Sequence, residues 1–580
     1  MKKNINTKFI LFLGVFIFTT TIFAQGYGDN LGGGHRNGSY AYSTNTDDNG
    51  NVYITGSMLG LNGFSNFCTI KYSQTGSMLW TKTYGSPGVG DDKAYAIIID
   101  KDANVYVTGY STVTGNIHNI TTIKYNTSGT QKWASTYTST GNSEANAVIV
   151  DDKGNVYVCG FTTSPTGNIN FITIKYNKDG NQQWANLYDG GPHLDDKAYA
   201  IVVDKTNNVY VTGYTTAVHS NHTSTDYITI KYKPNGTQEW VASYNGTGNG
   251  DDKAYAITID KFNNIYITGS STGSNNLTDC VTIKYNQNGD QRWLARYHGQ
   301  GFGAGGNAIT VDERTNIYVT GWINQSQGGN SDYLTIKYDS DGNQKWVKFF
   351  NGTANNDDIA KSITIDNQQN IYVTGSSKMN GPYGVFFHYA TVKYNRSGTQ
   401  QWAVTYTYNS YEDDAYAIAL DYHGNLIVTG ASMSNPTNYD YATVQYNSNG
   451  QQRWVARFSA NNHHDSENEP KGTQESPEQE KNNISGNNSG QTPTEFQLSQ
   501  NYPNPFNPTT LINYQIPSDE FVELKVFDVL GKEVSTVVNE FKRAGSYKVN
   551  FNGSALESGV YFYKIKAGNF IDIKKMILVK

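Results

Sequence analysis

A motif that recurs eight times between residues 51 and 454 limits this chain to a small set of folds. With few departures, each copy contains Asn-φ-Tyr-φ-Thr-Gly (φ is Val or Ile), then Thr-φ-Lys-Tyr, then Gly-x-Gln-x-Trp. The eight repeated tryptophans lie 51 to 56 residues apart. They are Trp80, Trp133, Trp184, Trp240, Trp293, Trp346, Trp402 and Trp454. A fixed period of this length indicates stacked units that bury their apolar faces against their neighbours.

Each copy contains four predicted strands, which in the second copy cover residues 94–99, 104–108, 121–125 and 131–137. All four are rich in β-branched and aromatic residues and are bounded by turn residues. Four strands in about 50 residues, repeated in tandem, are typical of a β-propeller blade. We therefore predict an all-β fold, with one eight-bladed β-propeller of four-stranded blades over residues 38–458.

Two of the four connections in each copy have constant length. Strands one and two are joined by Asp-x-x-x-Asn, as at Asp100 and Asn104, whose short side chains can bond the turn's own backbone. Strands three and four are joined by Tyr-x-x-x-Gly, as from Tyr125 to Gly129. The other two connections vary in length, and alternate connections of an up-and-down blade lie on opposite faces. We expect a constant-turn face and a variable-loop face, and a ligand site on the variable-loop face.

The repeat resembles the SBBP β-propeller family, whose motif is Asp-x-x-Gly-Asn-x-Tyr-x-Thr-Gly. Residues 47–56 and 151–160 match it well. The resemblance implies the propeller fold. It implies no activity, because the family shares none.

The two ends of the chain differ from the repeat region. Lys2, Lys3 and the apolar residues 9–18 predict a secretory signal peptide over residues 1–24, cleaved after Ala24 and followed by a lead over residues 25–37. The apolar run is shorter than the ~20 residues that a membrane-spanning helix needs, and no later segment is apolar enough to span. Residues 459–495 carry seven acidic residues against two lysines, which predicts a disordered, acidic linker.

Residues 496–580 contain alternating apolar runs punctuated by glycines, as expected for a small antiparallel β-sandwich. This segment resembles the type A sorting domain of the type IX secretion system. It keeps the Tyr-Pro-Asn-Pro-Phe-Asn-Pro start at residues 502–508. The terminal sorting signal is Lys574, Lys575, Met576, Ile577, Leu578, Val579 and Lys580. The resemblance implies the type IX secretion machinery as a partner. It also implies a secreted or outer-surface product, after removal of the signal peptide and the C-terminal domain.

Composition excludes several function classes. The formal net charge of −6 gives no basic footprint for nucleic acid, and three cysteines are too few for a disulfide scaffold. The sequence contains no nucleophile elbow, phosphate-binding glycine loop or zinc motif, so no catalytic residue is assigned.

Calcium is the main metal that the sequence suggests, since the other candidate, His219 and His222, is a His-x-x-His pair without a third ligand. Asp-Asp-Lys occurs at the start of the first strand in three copies, and Asp357-Asp358 and Asp413-Asp414 are partial copies of it. The aspartates of the three complete copies are Asp91 and Asp92, Asp195 and Asp196, and Asp251 and Asp252. Carboxylates in glycine-rich loops can ligate Ca²⁺. The alternative is that these aspartates only tighten the loops that enter strand one.

Aromatic residues follow the repeated Thr-Gly glycine in several copies. Tyr110, Phe161, Tyr214 and Trp322 occupy this position and could form a ligand-contacting rim on the variable-loop face. The alternative is that they pack between blades.

The sequence favours a secreted or cell-surface propeller that binds or scaffolds, with a polysaccharide or an envelope component as ligand. The alternative is a secreted propeller enzyme that acts on polysaccharide. A further alternative is a quinoprotein-like enzyme, since Gly-x-Gln-x-Trp is faintly similar to the Gly-x-x-x-Trp repeat of eight-bladed quinoproteins. The chain lacks the vicinal cysteine pair of those enzymes.

Overall fold

The computed structural model describes residues 38–459 and 496–579 of the chain. Short gaps within these ranges fall at residues 61–62, 86–89, 192, 220–221, 300–301, 327–328, 382–383, 409–410, 436–437, 500, 502–503, 505, 519, 530–531, 543, 555 and 569. The predicted signal peptide, lead segment, linker residues 460–495 and Lys580 lie outside the described residues. The chain divides into two compact units, residues 1–465 and 466–580.

The first unit consists of eight four-stranded antiparallel sheets, each built from consecutive strands. Blades 1 to 4 contain β1 (Tyr40–Thr46), β2 (Val52–Leu59), β3 (Ser65–Tyr72), β4 (Met78–Tyr84), β5 (Lys93–Ile99), β6 (Val105–Val113), β7 (Ile117–Tyr125), β8 (Gln131–Tyr137), β9 (Ser143–Val150), β10 (Val156–Thr163), β11 (Ile169–Tyr176), β12 (Gln182–Tyr188), β13 (Asp196–Val203), β14 (Val209–His219), β15 (His222–Tyr232) and β16 (Gln238–Tyr244). Blades 5 to 8 contain β17 (Asp252–Ile259), β18 (Ile265–Thr272), β19 (Thr278–Tyr285), β20 (Gln291–Tyr297), β21 (Ala304–Val311), β22 (Ile317–Asn324), β23 (Ser331–Tyr338), β24 (Gln344–Phe350), β25 (Asp358–Ile365), β26 (Ile371–Gly381), β27 (Gly384–Tyr394), β28 (Gln400–Tyr406), β29 (Asp413–Leu420), β30 (Leu426–Asn435), β31 (Asn438–Tyr446) and β32 (Gln452–Phe458).

The first strand of each blade packs against the first strands of the two neighbouring blades, so these eight strands surround a central channel. The circle closes where β1 packs against β29 and β30. There, Ser39 N donates to the carbonyl of Tyr439 at 2.7 Å, and the Tyr441 hydroxyl donates to the carbonyl of Cys68 at 3.2 Å. The prediction of an all-β, eight-bladed propeller is confirmed.

The apolar core lies between neighbouring blades. Tyrosines are its largest fully buried side chains, which explains why a chain with only 37% hydrophobic residues can fold around so large a ring. The three cysteines are buried and unpaired. The described residues contain no helix, and therefore none long and apolar enough to cross a bilayer.

The second unit is a sandwich of two antiparallel sheets, with strand orders β33-β34-β37 and β36-β35-β38-β39. Its strands are β33 (Gln497–Leu498), β34 (Thr509–Ile516), β35 (Glu520–Phe527), β36 (Glu533–Lys542), β37 (Gly545–Asn552), β38 (Gly559–Ala567) and β39 (Phe570–Leu578). Ile512, Leu524, Tyr563 and Met576 meet in its core. The apolar runs of the sequence at residues 511–516, 522–529, 547–551, 560–565 and 571–579 correspond to β34, β35, β37, β38 and β39, whereas β33 and β36 are not predicted from the sequence.

Candidate functional site at the central channel

The repeated Thr-Gly glycine presses against the first strand of its own blade. A side chain at any of the eight glycines would place its Cβ between 1.8 and 2.0 Å from a main-chain oxygen, as at Gly213 against Lys197. Opposite this glycine, the first strand of every blade carries a β-bulge, in blade 4 between Ala198 and Ala200. A bulge adds one residue and redirects its side chain. In blade 4 the added residue is Tyr199.

The eight added residues form a ring around the channel, which we call the bulge ring. Its members are Tyr42, Tyr95, Asn146, Tyr199, Tyr255, Asn307, Lys361 and Tyr416. Aromatic side chains of neighbouring blades meet within it. The ring centroid of Tyr42 lies 5.5 Å from that of Tyr95 and 5.8 Å from that of Tyr416, and Tyr199 lies 5.5 Å from Tyr255.

The non-aromatic members also link neighbouring blades. Asn146 and Asn307 each donate a side-chain hydrogen bond to a carbonyl of the next blade's first strand, at 2.6 and 2.8 Å. The Lys361 ammonium lies 4.5 Å from the ring centroid of Tyr416 and 3.2 Å from a carboxylate oxygen of Asp414. The bulge ring is therefore fixed by contacts among its own members and with adjacent strands.

A second ring lies two residues earlier on the same strands, nearer the variable-loop face, and we call it the outer ring. Its members are Tyr40, Lys93, Glu144, Lys197, Lys253, Gly305, Ile359 and Asp414. Lys93, Lys197 and Lys253 stand two residues before three tyrosines of the bulge ring. This mouth of the channel therefore combines ammonium groups with aromatic rings.

The predicted aromatic rim lies against the outer ring. Tyr110 and Tyr214 are cross-strand partners of Lys93 and Lys197. The Lys197 ammonium lies 4.6 Å from the ring centroid of Phe161. Tyr110 is 4% exposed and Phe161 7%, so both support the mouth from below more than they form its surface. Tyr214 is half-buried, with the Lys253 ammonium 5.2 Å from its ring centroid.

Trp322 occupies the same position in blade 6, where the outer ring has no side chain. A Cβ on Gly305, its cross-strand partner, would lie only 2.5 Å from the indole nitrogen of Trp322. The half-buried indole therefore takes the space that a lysine side chain fills in blades 2, 4 and 5.

The acidic residues at this mouth already have partners in the protein. His118 Nδ1 lies 2.9 Å from the carboxylate of Glu144, and Asp414 pairs with Lys361. Burial raises the pKa of Tyr42 to about 12 and also raises that of Tyr255, so both remain neutral hydroxyl groups at physiological pH. The mouth thus combines neutral aromatic hydroxyls with three lysines, each of which is preceded by two aspartates in the sequence.

The opposite face is built from the constant Asp-x-x-x-Asn turns. In blade 4, Asp204 accepts hydrogen bonds from the backbone N–H of Thr206 and Asn208, the Asn208 amide and the Tyr210 hydroxyl, at 2.8 to 3.1 Å. The same four kinds of donor bind the turn aspartate in blades 1 to 7. Burial alone would raise the pKa of Asp204, but the hydrogen bonds from Asn208 and Thr206 outweigh it and hold the pKa below its usual value.

A cavity of about 910 Å³ opens between these turns at the constant-turn mouth of the channel. Its lining reaches inward as far as Ile257, Ile309 and Ile363, each two residues after a member of the bulge ring on the same strand. The bulge ring therefore lies between this cavity and the variable-loop mouth. Sequence reasoning directed attention to the variable-loop face alone.

The paired aspartates brace loops of two different blades. Asp195 accepts from the N–H of Ile169 in the preceding blade at 2.9 Å, whereas Asp196 accepts from Gly190 and Thr216 at 2.8 and 3.1 Å. The pair at Asp91 and Asp92 and the pair at Asp251 and Asp252 repeat this division. No group of three or more His, Cys, Asp or Glu side chains suited to a metal occurs among the described residues. The geometry supports the loop-bracing interpretation.

The repeated tryptophans join neighbouring blades. Trp133 donates to the carbonyl of Lys178 in the next blade at 3.0 Å, and Trp454 closes the circle by donating to Gln74 at 3.1 Å. The indole packs on the turn glycine of the next blade, as Trp133 does on Gly180. The repeat therefore uses tryptophan as an inter-blade contact.

The bulge ring is the feature that sequence reasoning missed. Its signal was present, because small residues flank each added residue, as in Ala198-Tyr199-Ala200 and Ala254-Tyr255-Ala256. Together with a glycine fixed on the neighbouring strand, this pattern marks a close backbone approach.

The two ends of the C-terminal unit are joined. Phe506 N donates to the carbonyl of Ile577 at 2.9 Å, and Ile577 N donates to the Asn504 side chain at 2.9 Å. The starting motif thereby pairs with β39, on which most of the predicted sorting signal lies, with Met576 and Leu578 buried in the core.

Comparison with known families agrees with this architecture. Residues 500–580 match the family described as a secretion system C-terminal sorting domain. Residues 187–218, 242–277 and 346–382 match the SBBP β-propeller repeat. The chain combines SBBP propeller repeats with a type IX sorting domain. The sorting domain implies interaction with the type IX machinery, and it indicates export to the cell surface or secretion.

Individual relatives are distant. An uncharacterized WD repeat-containing protein of Acanthamoeba polyphaga mimivirus is 24% identical over 421 residues, which cover 66% of this chain and 26% of the relative. The chain thus spans about a quarter of that protein's length. PorZ, a surface component of the type IX secretion system of Porphyromonas gingivalis, is 10% identical with a TM-score of 0.32, over 94% of this chain and 75% of PorZ. A polysaccharide lyase, an ulvan lyase, is 10% identical with a TM-score of 0.34, over 73% and 95% of the two chains.

Proposed function

We propose that this secreted propeller is a binding module that holds an acidic polysaccharide at the variable-loop mouth of its channel. The observation that carries the proposal is the bulge ring, whose five tyrosines are held in place beside the lysines of the outer ring. Tyr199 is buried and the other four are half-buried. Tyrosine rings offer an apolar face for the C–H face of a sugar and a hydroxyl for its oxygen atoms. Lysines beside them supply the charge that a uronate carboxylate needs.

Preorganisation supports binding at this mouth. The tyrosines are redirected by bulges that a glycine enforces in every blade, so little side-chain freedom remains to be lost when a ligand binds. The acids at the same level, Glu144 and Asp414, are engaged by His118 and Lys361. The aspartates that stand two residues before the three lysines accept backbone hydrogen bonds from the preceding blade; they are Asp91, Asp195 and Asp251.

The test is calorimetric titration of the full chain with polygalacturonate, and with neutral dextran as the comparison polymer. We expect binding of polygalacturonate that weakens with salt, and much weaker binding of dextran. The double variant Lys197→Gln with Lys253→Gln should bind about tenfold less tightly, because two charges leave the mouth. Equal affinity for both polymers, or no binding of either, would reject the proposal.

A further inference from the structure

We infer that the cavity on the constant-turn face is a second, separate binding site for an amphipathic anion, with an aliphatic or aromatic body and one carboxylate or sulfonate. This inference concerns the opposite end of the channel from the polysaccharide mouth and does not depend on that proposal.

The walls of the cavity suit an apolar body. They are formed by the ends of the first strands, which contribute Ile98, Val202, Ile257, Ile309 and Ile363 from five different blades. A volume of about 910 Å³ lies within the range of sites that enclose a small organic molecule. Apolar walls of this size favour burial of hydrocarbon over a purely polar ligand.

The rim supplies the charge preference. The turn aspartates that line the cavity are occupied by N–H and O–H donors of the protein, as described for Asp204. The charges that reach solvent at the rim are instead the exposed side chains beside them. On blades 4 and 5 these are Lys205 and Lys261, with no exposed acid in either turn. Exposed acids occur on blades 1 to 3, at Asp48, Asp102 and Asp152, of which the last two stand beside the exposed Lys101 and Lys153.

This asymmetry orients the ligand. An anionic head would lie beside Lys205 and Lys261, and its apolar body would extend into the well toward Ile257 and Ile309. Lys261 stands next to Phe262, whose ring is 65% exposed and lies 5.3 Å from the Lys261 ammonium. An exposed aromatic ring therefore stands beside the lysine on the basic side of the rim.

The bulge ring separates this cavity from the variable-loop mouth of the channel. The cavity lining ends at Ile257, Ile309 and Ile363, which stand two residues after Tyr255, Asn307 and Lys361 of the bulge ring. A ligand in the well therefore enters and leaves at the constant-turn face. Variants at one mouth should leave the other mouth unchanged.

The test is a fluorescence titration of the full chain with 11-(dansylamino)undecanoate. We expect saturable enhancement at one site, displaced by decanoate at a much lower concentration than by decanol. The double variant Lys205→Gln with Lys261→Gln changes exposed side chains that the fold does not need, and should weaken binding by about three- to tenfold. The matched control, Lys197→Gln with Lys253→Gln at the other mouth, should bind the probe as the unmodified chain does.

Three results would overturn the inference: no saturable binding, equal displacement by decanoate and decanol, or equal weakening by both double variants. Because the polygalacturonate titration uses another ligand and the other pair of lysines, failure of one proposal can be told from failure of the other.

Discussion

Lys71 and Tyr53 face each other across neighbouring strands of blade 1, with the ammonium nitrogen 4.8 Å from the centroid of the phenol ring. The same nitrogen donates to the carbonyl of Thr127 in blade 2 at 3.2 Å, and the Tyr53 hydroxyl donates to Asp47 at 2.8 Å. Blades 1 to 7 all repeat the lysine–tyrosine pair, at 4.8 to 5.4 Å. Lys71 thus links blade 1 to blade 2, and it also contacts Tyr53, which is hydrogen-bonded to the turn aspartate Asp47.

Blade 8 contains neither the tyrosine nor the lysine of this pair. Ile427 and Gln445 occupy their positions and stand opposite each other. Gln445 is fully buried, and its side-chain oxygen has no hydrogen-bond partner within the described chain. We expect Lys71→Met to lower the free energy of unfolding by about 1 to 3 kcal/mol, because it removes a cation–π contact and a charged hydrogen bond. Gln445→Met at the equivalent position should be neutral or stabilising. Urea denaturation measures both, and equal losses would contradict the role assigned to the pair.

The turn glycine of the Gly-x-Gln-x-Trp motif is required both for its positive φ and for its close contact with a tryptophan of the preceding blade. Gly180 has φ +84°, and a Cβ there would lie 2.6 Å from the indole of Trp133. Gly167 in the same blade has φ +96° with no atom within 4 Å of such a Cβ. We expect Gly167→Ala to cost about 1 kcal/mol of backbone strain, and Gly180→Ala to cost about 1 to 3 kcal/mol more from the clash. Thermal unfolding should rank the two variants in that order, and equal losses would show that the tryptophan contact does not matter.

The repeat predicted the propeller because its period, strand composition and turn residues all agree on one four-stranded unit. The small residues that flank Tyr199 indicate a close backbone approach, but the bulge itself depends on which residues pair across two strands, and the spacing along one strand does not record that. Nor could the repeat place the cavity. The turn aspartates were read correctly as turn residues, but the apolar strand ends beside them, such as Ile257 and Ile309, look like ordinary core in the sequence.

Two buried aspartates should respond to pH in opposite directions. Burial raises the pKa of Asp358 to about 6, with nearby Asp332 adding to the effect, so the folded state holds this proton more tightly than the unfolded chain. Its contribution to stability is full below the ordinary pKa of aspartate, near 4, and is lost as pH rises through about 6. Asp204, whose pKa is lowered, instead contributes above the ordinary value and loses that contribution as pH falls through its folded pKa.

Denaturation from pH 4 to pH 8 tests the two signs, with Asp358→Asn and Asp204→Asn compared separately with the unmodified chain. Relative to Asp358→Asn, the unmodified chain should lose roughly 2 kcal/mol of stability between pH 4.5 and pH 7.5, from the shift in pKa. Its advantage over Asp204→Asn should persist at neutral pH and shrink only toward pH 4. If both differences moved in the same direction, the assigned shifts would be wrong.

Substitutions at Tyr255 distinguish two ways in which the bulge ring could hold a sugar: stacking on the tyrosine ring and hydrogen bonding to the tyrosine hydroxyl. The ring of Tyr255 lies 5.5 Å from that of Tyr199, and two residues before it stands Lys253. If stacking dominates, Tyr255→Phe should keep polygalacturonate affinity within about threefold, whereas Tyr255→Ala should reduce it by about tenfold or more. The matched control is Tyr422→Ala, because Tyr422 is 57% exposed in a constant turn and should not affect binding. An unchanged affinity in Tyr255→Ala, with the fold intact, would place the polysaccharide away from the bulge ring.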